Sequence, residues 1–377
     1  MSSTQKWLKR GGLLTALLTL TLALAVPAAG AAAPEEATEW LASQLKTGEK
    51  GKYCESFSPA GTVGQTIDCM LAFDAAGAAF EEQRKATYEY VKANLAVFVG
   101  SKPCSEATTL AAGSVAKLAL GVAAQGDDPA NVGGRNLIAD LLCLQPKSGT
   151  EKGRFKDKGS FDFSNVFGQS LGTIALKACA EGSCASAPTG LATGLNNAAG
   201  YLRGQQCTEN GSEGVDGAFR SAMGLEPGSC ENKTPFPSEF EFNEDAVDID
   251  STGFAIEALY VHGTAASKNA AFGGGEWMYE ERVETSSPKR IHWENYCSFT
   301  EPKVKFPSVN STALAIMGAS EVSLEVVPGL NWLGDAVASG SNRGLPACGA
   351  SGNGDVLATA QGILGLYGTS YPTLVGL

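Results

Sequence analysis

The segment Asp248-Ile249-Asp250-Ser251-Thr252 sets two carboxyls two residues apart at the head of an apolar run. A carboxyl held in an apolar pocket stays protonated to higher pH and can deliver that proton to a substrate. Asp248 and Asp250 are the sharpest chemical lead in the sequence. The same residue types also close helix N-termini, where a side-chain oxygen accepts an orphan N–H and contributes roughly 0.5–2 kcal/mol. Capping or pocket lining is the plainer role for Asp248, Asp250 and Ser251. Asn310-Ser311-Thr312 repeats the pattern without an acid, and Gln169-Ser170 and Asp68-Cys69 are weaker relatives. Asp248, Asp250, Ser251, Gln169 and Asn310 make up the polar part of a candidate ligand-binding set.

A second group is aromatic. His292-Trp293-Glu294-Asn295-Tyr296-Cys297 is the densest polar and aromatic cluster, and Trp277 and Tyr279 precede it. Trp277, Tyr279 and Trp293 either line a binding mouth or pack their loop onto the core. Other chemistries lack parts. With only His262 and His292, a His-rich metal site is excluded and a Ser-His-Asp triad is disfavoured. There is no C-x-x-C motif, so no metal is assigned, and no cofactor is expected. The acidic stretch Glu239, Glu241, Glu244, Asp245, Asp248, Asp250 offers hard oxygen ligands for Ca²⁺ but lacks the glycine and terminal glutamate of an EF-hand. It reads as a solvated loop. Glycosidases need paired carboxylates, and no second acid stands out to partner Asp250. A net charge of −12 argues against a nucleic-acid partner.

These residues must be placed by helices. Two helical classes alternate. Amphipathic stretches lie near 36–46, 81–98, 131–143, 191–206, 266–280 and 328–337. Stretches apolar nearly all round lie near 66–77, 110–126, 166–182, 246–263, 310–319 and 356–368. A helix apolar on every face belongs inside a large fold. Helical pairs that cannot bury a face alone must stack. Six pairs can close into an all-α toroid, an inner ring of six helices within an outer ring of six; the rival is an open solenoid, whose helices would usually all be amphipathic. Strands are almost absent from the pattern.

The N-terminus reads as a targeting segment. Lys6, Lys9 and Arg10 precede an apolar run from Leu13 to Val26, and Ala29-Gly30-Ala31 fits a cleavage site. Residues 1–31 are assigned as a signal peptide and 32–377 as the toroid, secreted, with no membrane insertion. Ten cysteines follow the signal, as suits an oxidising compartment. Pairing of neighbours gives Cys54–Cys69, Cys104–Cys143, Cys179–Cys184, Cys207–Cys230 and Cys297–Cys348, a connectivity that sequence alone does not prove.

The D-x-D-S-T-x-x-A and N-S-T-A-x-A segments opening inner helices resemble the prenyltransferase and squalene-cyclase repeat, especially in secreted bacterial members without settled activity. Transcobalamin-like carriers are more distant. The resemblance implies an α/α toroid. It makes Asp250 the counterpart of the middle acid of the cyclases' D-x-D-D, but Ser251 stands where their last Asp should be, and their aromatic-rich repeats are missing. The expected function is a secreted, non-catalytic toroid binding an unidentified extracellular small molecule or protein at the barrel mouth. The alternatives are a degenerate cyclase-like or carbohydrate-active enzyme using Asp250 as general acid, and a structural cell-surface protein.

Overall fold

The computed structural model describes residues 32–208, 214–223, 230, 246–296, 305–339, 342–347 and 353–377. In chain order the helices are α1 (Ala33–Ser43), α2 (Pro59–Ala76), α3 (Glu81–Ala93), α4 (Leu95–Val99), α5 (Ala112–Ala124), α6 (Leu137–Leu144), α7 (Val166–Ala178), α8 (Leu191–Arg203), α9 (Ile249–His262), α10 (Ala265–Glu280), α11 (Val309–Glu321), α12 (Val327–Ser339), α13 (Val356–Tyr367) and α14 (Tyr371–Leu374). The strands are β1 (Lys46–Gly48), β2 (Gly51–Tyr53), β3 (Val283–Ser286), β4 (Lys289–His292), β5 (Glu294–Tyr296) and β6 (Lys305–Pro307). They pair as three short antiparallel hairpins, β1–β2, β3–β4 and β5–β6, which the helical periodicity did not reveal.

All twelve expected helices form. The apolar ones, α2, α5, α7, α9, α11 and α13, each pack against the next, and α13 returns to α2, so the inner ring is closed. The outer helices α3, α6, α8, α10 and α12 each pack on the inner helix that precedes them. The sequence reading put each outer helix first. That order holds only for α1, which crosses the seam to complete the last pair by packing on α13. The helix expected over 81–98 is divided into α3 and α4 at Asn94, whose Nδ2 donates to the Tyr90 carbonyl at 2.8 Å. Close approach inside the ring depends on small residues. A Cβ on Gly318 would stand 3.0 Å from Gly253 Cα, so α9 and α11 meet where neither carries a side chain.

One local device recurs where the inner helices begin. Ser58, Asn165, Asp248, Ser308 and Asp355 are N-caps whose side chains accept the N–H three residues on. Four residues after the cap stands a buried Thr or Gln that holds the segment leading into the helix. Thr252 Oγ1 accepts the Phe219 N–H at 2.9 Å, Thr312 that of Trp293 at 3.0 Å, and Thr359 that of Leu345 at 2.8 Å. Gln169 Oε1 accepts the Phe155 N–H at 2.8 Å. Helix α2 carries two such clips, with Thr62 accepting from Ser56 N and Thr66 from Cys54 N, each at 3.1 Å. Buried backbone donors need such partners. Helix α5 has Val115 at this position, and there Asp157 accepts the Ala112 N–H instead, at 2.7 Å.

Four disulfides follow the neighbour pairing: Cys54–Cys69, Cys104–Cys143, Cys179–Cys184 and Cys207–Cys230. Cys297 and Cys348 lie outside the described residues, as does the expected signal segment. Among the described residues no helix is long and apolar enough to cross a membrane.

The clip yields a measurable expectation. Thr312→Val keeps shape and volume but strands the Trp293 N–H in the interior, a loss of about 1–3 kcal/mol. Thermal unfolding should show a lower midpoint for the variant, and an unchanged midpoint would mean the hydroxyl contributes nothing.

Candidate active site

The N-termini of the inner helices surround a cavity of about 410 Å³. At α5, α7, α9, α11 and α13 the residue two positions after the N-cap faces the axis and the residue six positions after faces it one turn deeper, as helical periodicity requires. The outer layer contains Gly113, Phe167, Asp250, Asn310 and Leu357. The deeper layer contains Lys117, Leu171, Phe254, Leu314 and Gln361. Asp68 of α2 joins the lining two residues after the second clip, Thr66. Tyr371 of α14 reaches the cavity and stacks on Phe254 with ring centroids 5.1 Å apart. Its N–H donates to Glu257 Oε2 at 2.8 Å, one turn below Phe254.

The two aspartates at the head of α9 divide the roles that sequence left open. Asp248 is the cap, with Oδ2 accepting the Ser251 N–H at 3.0 Å and its hydroxyl at 2.6 Å. Asp250 lines the cavity, and its Oδ1 is shielded from water with no hydrogen-bond partner. Burial, reinforced by the charge of Asp248, pushes the Asp250 carboxyl up from 3.8 to about 7, although Ser311 and Asn295 hydrogen bonds oppose the rise. The α9 N-terminus also favours the anion, but a helix terminus supplies only about 0.3–1 kcal/mol at an exposed site and does not offset burial.

The second carboxyl is Asp68. Ring order puts α2 and α9 opposite each other, with two helices between them either way round. Asp68 Oδ2 accepts from Lys117 Nζ at 2.6 Å, and only 5% of the aspartate is exposed. Burial raises the Asp68 carboxyl, and the Lys117 ammonium opposes that rise. Sequence reading noted Asp68 only as a weak repeat relative and missed Lys117. The signal was present, since Lys117 is the single charged residue of α5. Asn295 was recorded only within the aromatic cluster. It sits on β5 and donates to Ser311 Oγ at 3.1 Å and Asp248 Oδ1 at 3.3 Å, behind the acid.

The remaining candidates disperse. Asn310 lines the cavity and donates to Gln361 Oε1 at 2.5 Å, leaving its own Oδ1 shielded and unpartnered. Ser251 is fully buried beside its cap. Gln169 faces away from the axis as a clip and does not line the cavity. Trp277 and Trp293 are core residues whose indole N–H groups donate to Gly214 O at 3.0 Å and Met278 O at 2.7 Å. Their polar atoms are used inside the protein, so the mouth-lining role gives way to packing. Tyr279 is exposed with Arg282 over its ring, also away from the cavity. Of the acidic stretch, only Asp248 and Asp250 fall among the described residues.

Comparison with known proteins adds the following. No family model and no curated protein matches the chain. Among solved structures it is similar to the GH76A α-1,6-mannanase from Salegentibacter sp. HEL1_6, with a TM-score of 0.58 at 10% identity, over 90% of this chain and 98% of that one. The fold is the α/α toroid. Two inactive variants of the same mannanase, each altered at two adjacent aspartates, match with TM-scores of 0.57 and 0.56 at 10% identity, over 92% of this chain and 99% of theirs. They are complexes with α-1,6-mannotriose and α-1,6-mannotetrose. These matches support a toroid in general and not the prenyltransferase and cyclase branch in particular. They also correct the expectation of a non-catalytic protein, because the matched toroids are enzymes. The adjacent aspartates of this chain, Asp127 and Asp128, follow the C-terminus of α5 and do not line the cavity. Asp127 accepts the Tyr88 hydroxyl at 2.7 Å and Asp128 the Ala130 N–H at 2.8 Å, which are structural roles.

Asp250 carries a stability signature with a definite sign. A carboxyl raised in the folded state binds its proton more tightly there than in the unfolded chain. Stability is therefore lost as pH climbs from the unfolded value through about 7. Asp250→Asn removes that loss. Its melting temperature should exceed the parent's at pH 8 and gain nothing at pH 4. Equal midpoints at pH 8 would show that Asp250 ionises there without penalty.

Proposed function

We propose that this chain is a glycan hydrolase in which Asp250 protonates the departing glycosidic oxygen. The observation that carries the reading is the Asp250 carboxyl itself, with a shielded, unpartnered oxygen in a cavity ringed by six helix N-termini. A general acid works best when its pKa lies near the operating pH, and burial brings Asp250 to about 7. Glycoside hydrolysis needs a second carboxyl across the scissile bond. Asp68 is assigned that part, with Lys117 supplying the countercharge that a carboxylate needs in so dry a place. The apolar wall of Phe167, Phe254 and Leu314 excludes water and presents ring faces and methyl groups to a sugar. The similarity to mannanases with bound manno-oligosaccharides supports the carbohydrate class and suggests α-linked mannan as the first substrate to try. The four disulfides and the signal-like N-terminal segment suit work outside the cell.

The test is turnover. The acid must be protonated, so kcat should fall as pH rises through about 7. Asp250→Asn should lose activity by roughly 10²–10⁴-fold while keeping its fold by circular dichroism. Reducing-sugar release from α-1,6-mannan by the secreted chain reads both. Full activity in Asp250→Asn would remove Asp250 from the chemistry.

A further inference from the structure

Helix α2 is not like its five neighbours. Its second clip, Thr66, and the lining residue Asp68 occupy the places that Thr312 and Leu314 occupy in α11. Its cap, Ser58, therefore lies four residues further out than the common pattern requires. Four extra residues raise this helix about 6 Å above the rim. The protruding turn is built from small residues, with Ala60, Gly61 and Gly64 on its inner side.

Beside that turn lies a second cavity of about 410 Å³. It shares Asp68, Gly113, Lys117 and Leu357 with the central one. The ion pair of Asp68 and Lys117 is thus a saddle between two adjoining spaces. The outer space is bounded by Gln65, Phe98 and Ser114. Gln65 and Ser114 form no side-chain hydrogen bond with the described residues, so their polar atoms are available to a ligand. The Phe98 ring is half-buried where it lines this space. An aromatic wall beside unused amide and hydroxyl groups is suited to a sugar, whose C–H face stacks and whose hydroxyls bond.

We infer that the outer cavity is a second glycan subsite, and that the ligand is a linear oligosaccharide lying across the Asp68–Lys117 saddle with one end against Asp250. At the saddle, adjacent hydroxyls of one sugar unit can donate to the carboxylate and accept from the ammonium. This inference rests on the hydrolase reading and adds the length and path of the substrate.

The experiment compares α-1,6-linked manno-oligosaccharides of two to six units on the full secreted chain. kcat/KM should rise at least tenfold from the dimer to the longer chains. Gln65→Ala removes a lining amide that bonds no described residue, and Ser114→Phe fills the outer space. Both should flatten the rise, so that the ratio of longest to shortest approaches one. A ratio unchanged from the parent in Ser114→Phe overturns the subsite and leaves the hydrolase reading standing. A rate that is length-independent in the parent does the same. Absence of turnover on every oligomer overturns the hydrolase reading, and this inference with it.

Discussion

A side chain four residues into an inner helix, bonded to the backbone of the segment that enters it, is the constraint on which the barrel mouth depends. Thr252, Thr312 and Thr359 do this with a hydroxyl and Gln169 with an amide. Each of these threonine hydroxyls also turns back toward the carbonyl of the residue whose N–H it accepts. The entering chain at these four helices is therefore tied at a fixed height. Without the tie, buried peptide groups at the rim would lack partners, and the first turns would have no reason to end at a common level.

That constraint determines what the cavity can contain. Once position four faces outward to the clip, positions two and six must face the axis. Asp250 is buried because of this register and not because its immediate sequence is apolar. The neighbouring Asp248 is turned by the same register toward its own helix N-terminus, where its charge is satisfied by Ser251. Two identical side chains two residues apart thus come to opposite states. One accepts hydrogen bonds at the helix N-terminus, and the other is a carboxyl whose proton affinity its surroundings raise to about 7. The geometry resembles a device for tuning acids: the ring supplies dryness, the cap supplies a nearby negative charge, and both raise the proton affinity of a single oxygen pair.

Much of this was legible beforehand. Apolar-all-round stretches marked the six inner helices, and the D-x-D-S-T and N-S-T-A segments marked their starts, because the clip imposes a hydroxyl at a fixed offset from the cap. Asp250 stands out in sequence for that reason. Asp68 does not stand out in sequence as a cavity carboxyl, because α2 begins a turn early and hides the offset. Lys117 was overlooked on α5, whose start has neither a polar cap nor a threonine clip to align it. Trp277 and Trp293 were misplaced because composition cannot tell an indole that faces a ligand from one whose N–H ends on a backbone carbonyl of its own chain. The short hairpins β3–β4 and β5–β6 went unseen because strands of three or four residues are too brief to show a two-residue period.

The pairing of α1 with α13 has a consequence for how the molecule is made. It joins residues 33–43 to residues 356–367, near the two ends of the described chain. Every other outer helix packs on an inner helix already synthesised just before it, so the arc can grow as hairpins emerge. The seam cannot. Until α13 arrives, α1 packs only on α2 and α12, and the apolar flanks of α1 and α2 that α13 will cover face solvent. A partly made chain is an open horseshoe with two sticky ends, the kind of species that chaperones bind and proteases cut. The latch thus serves as a proof of completeness: only a chain translated through its final inner helix can hide both ends of the arc.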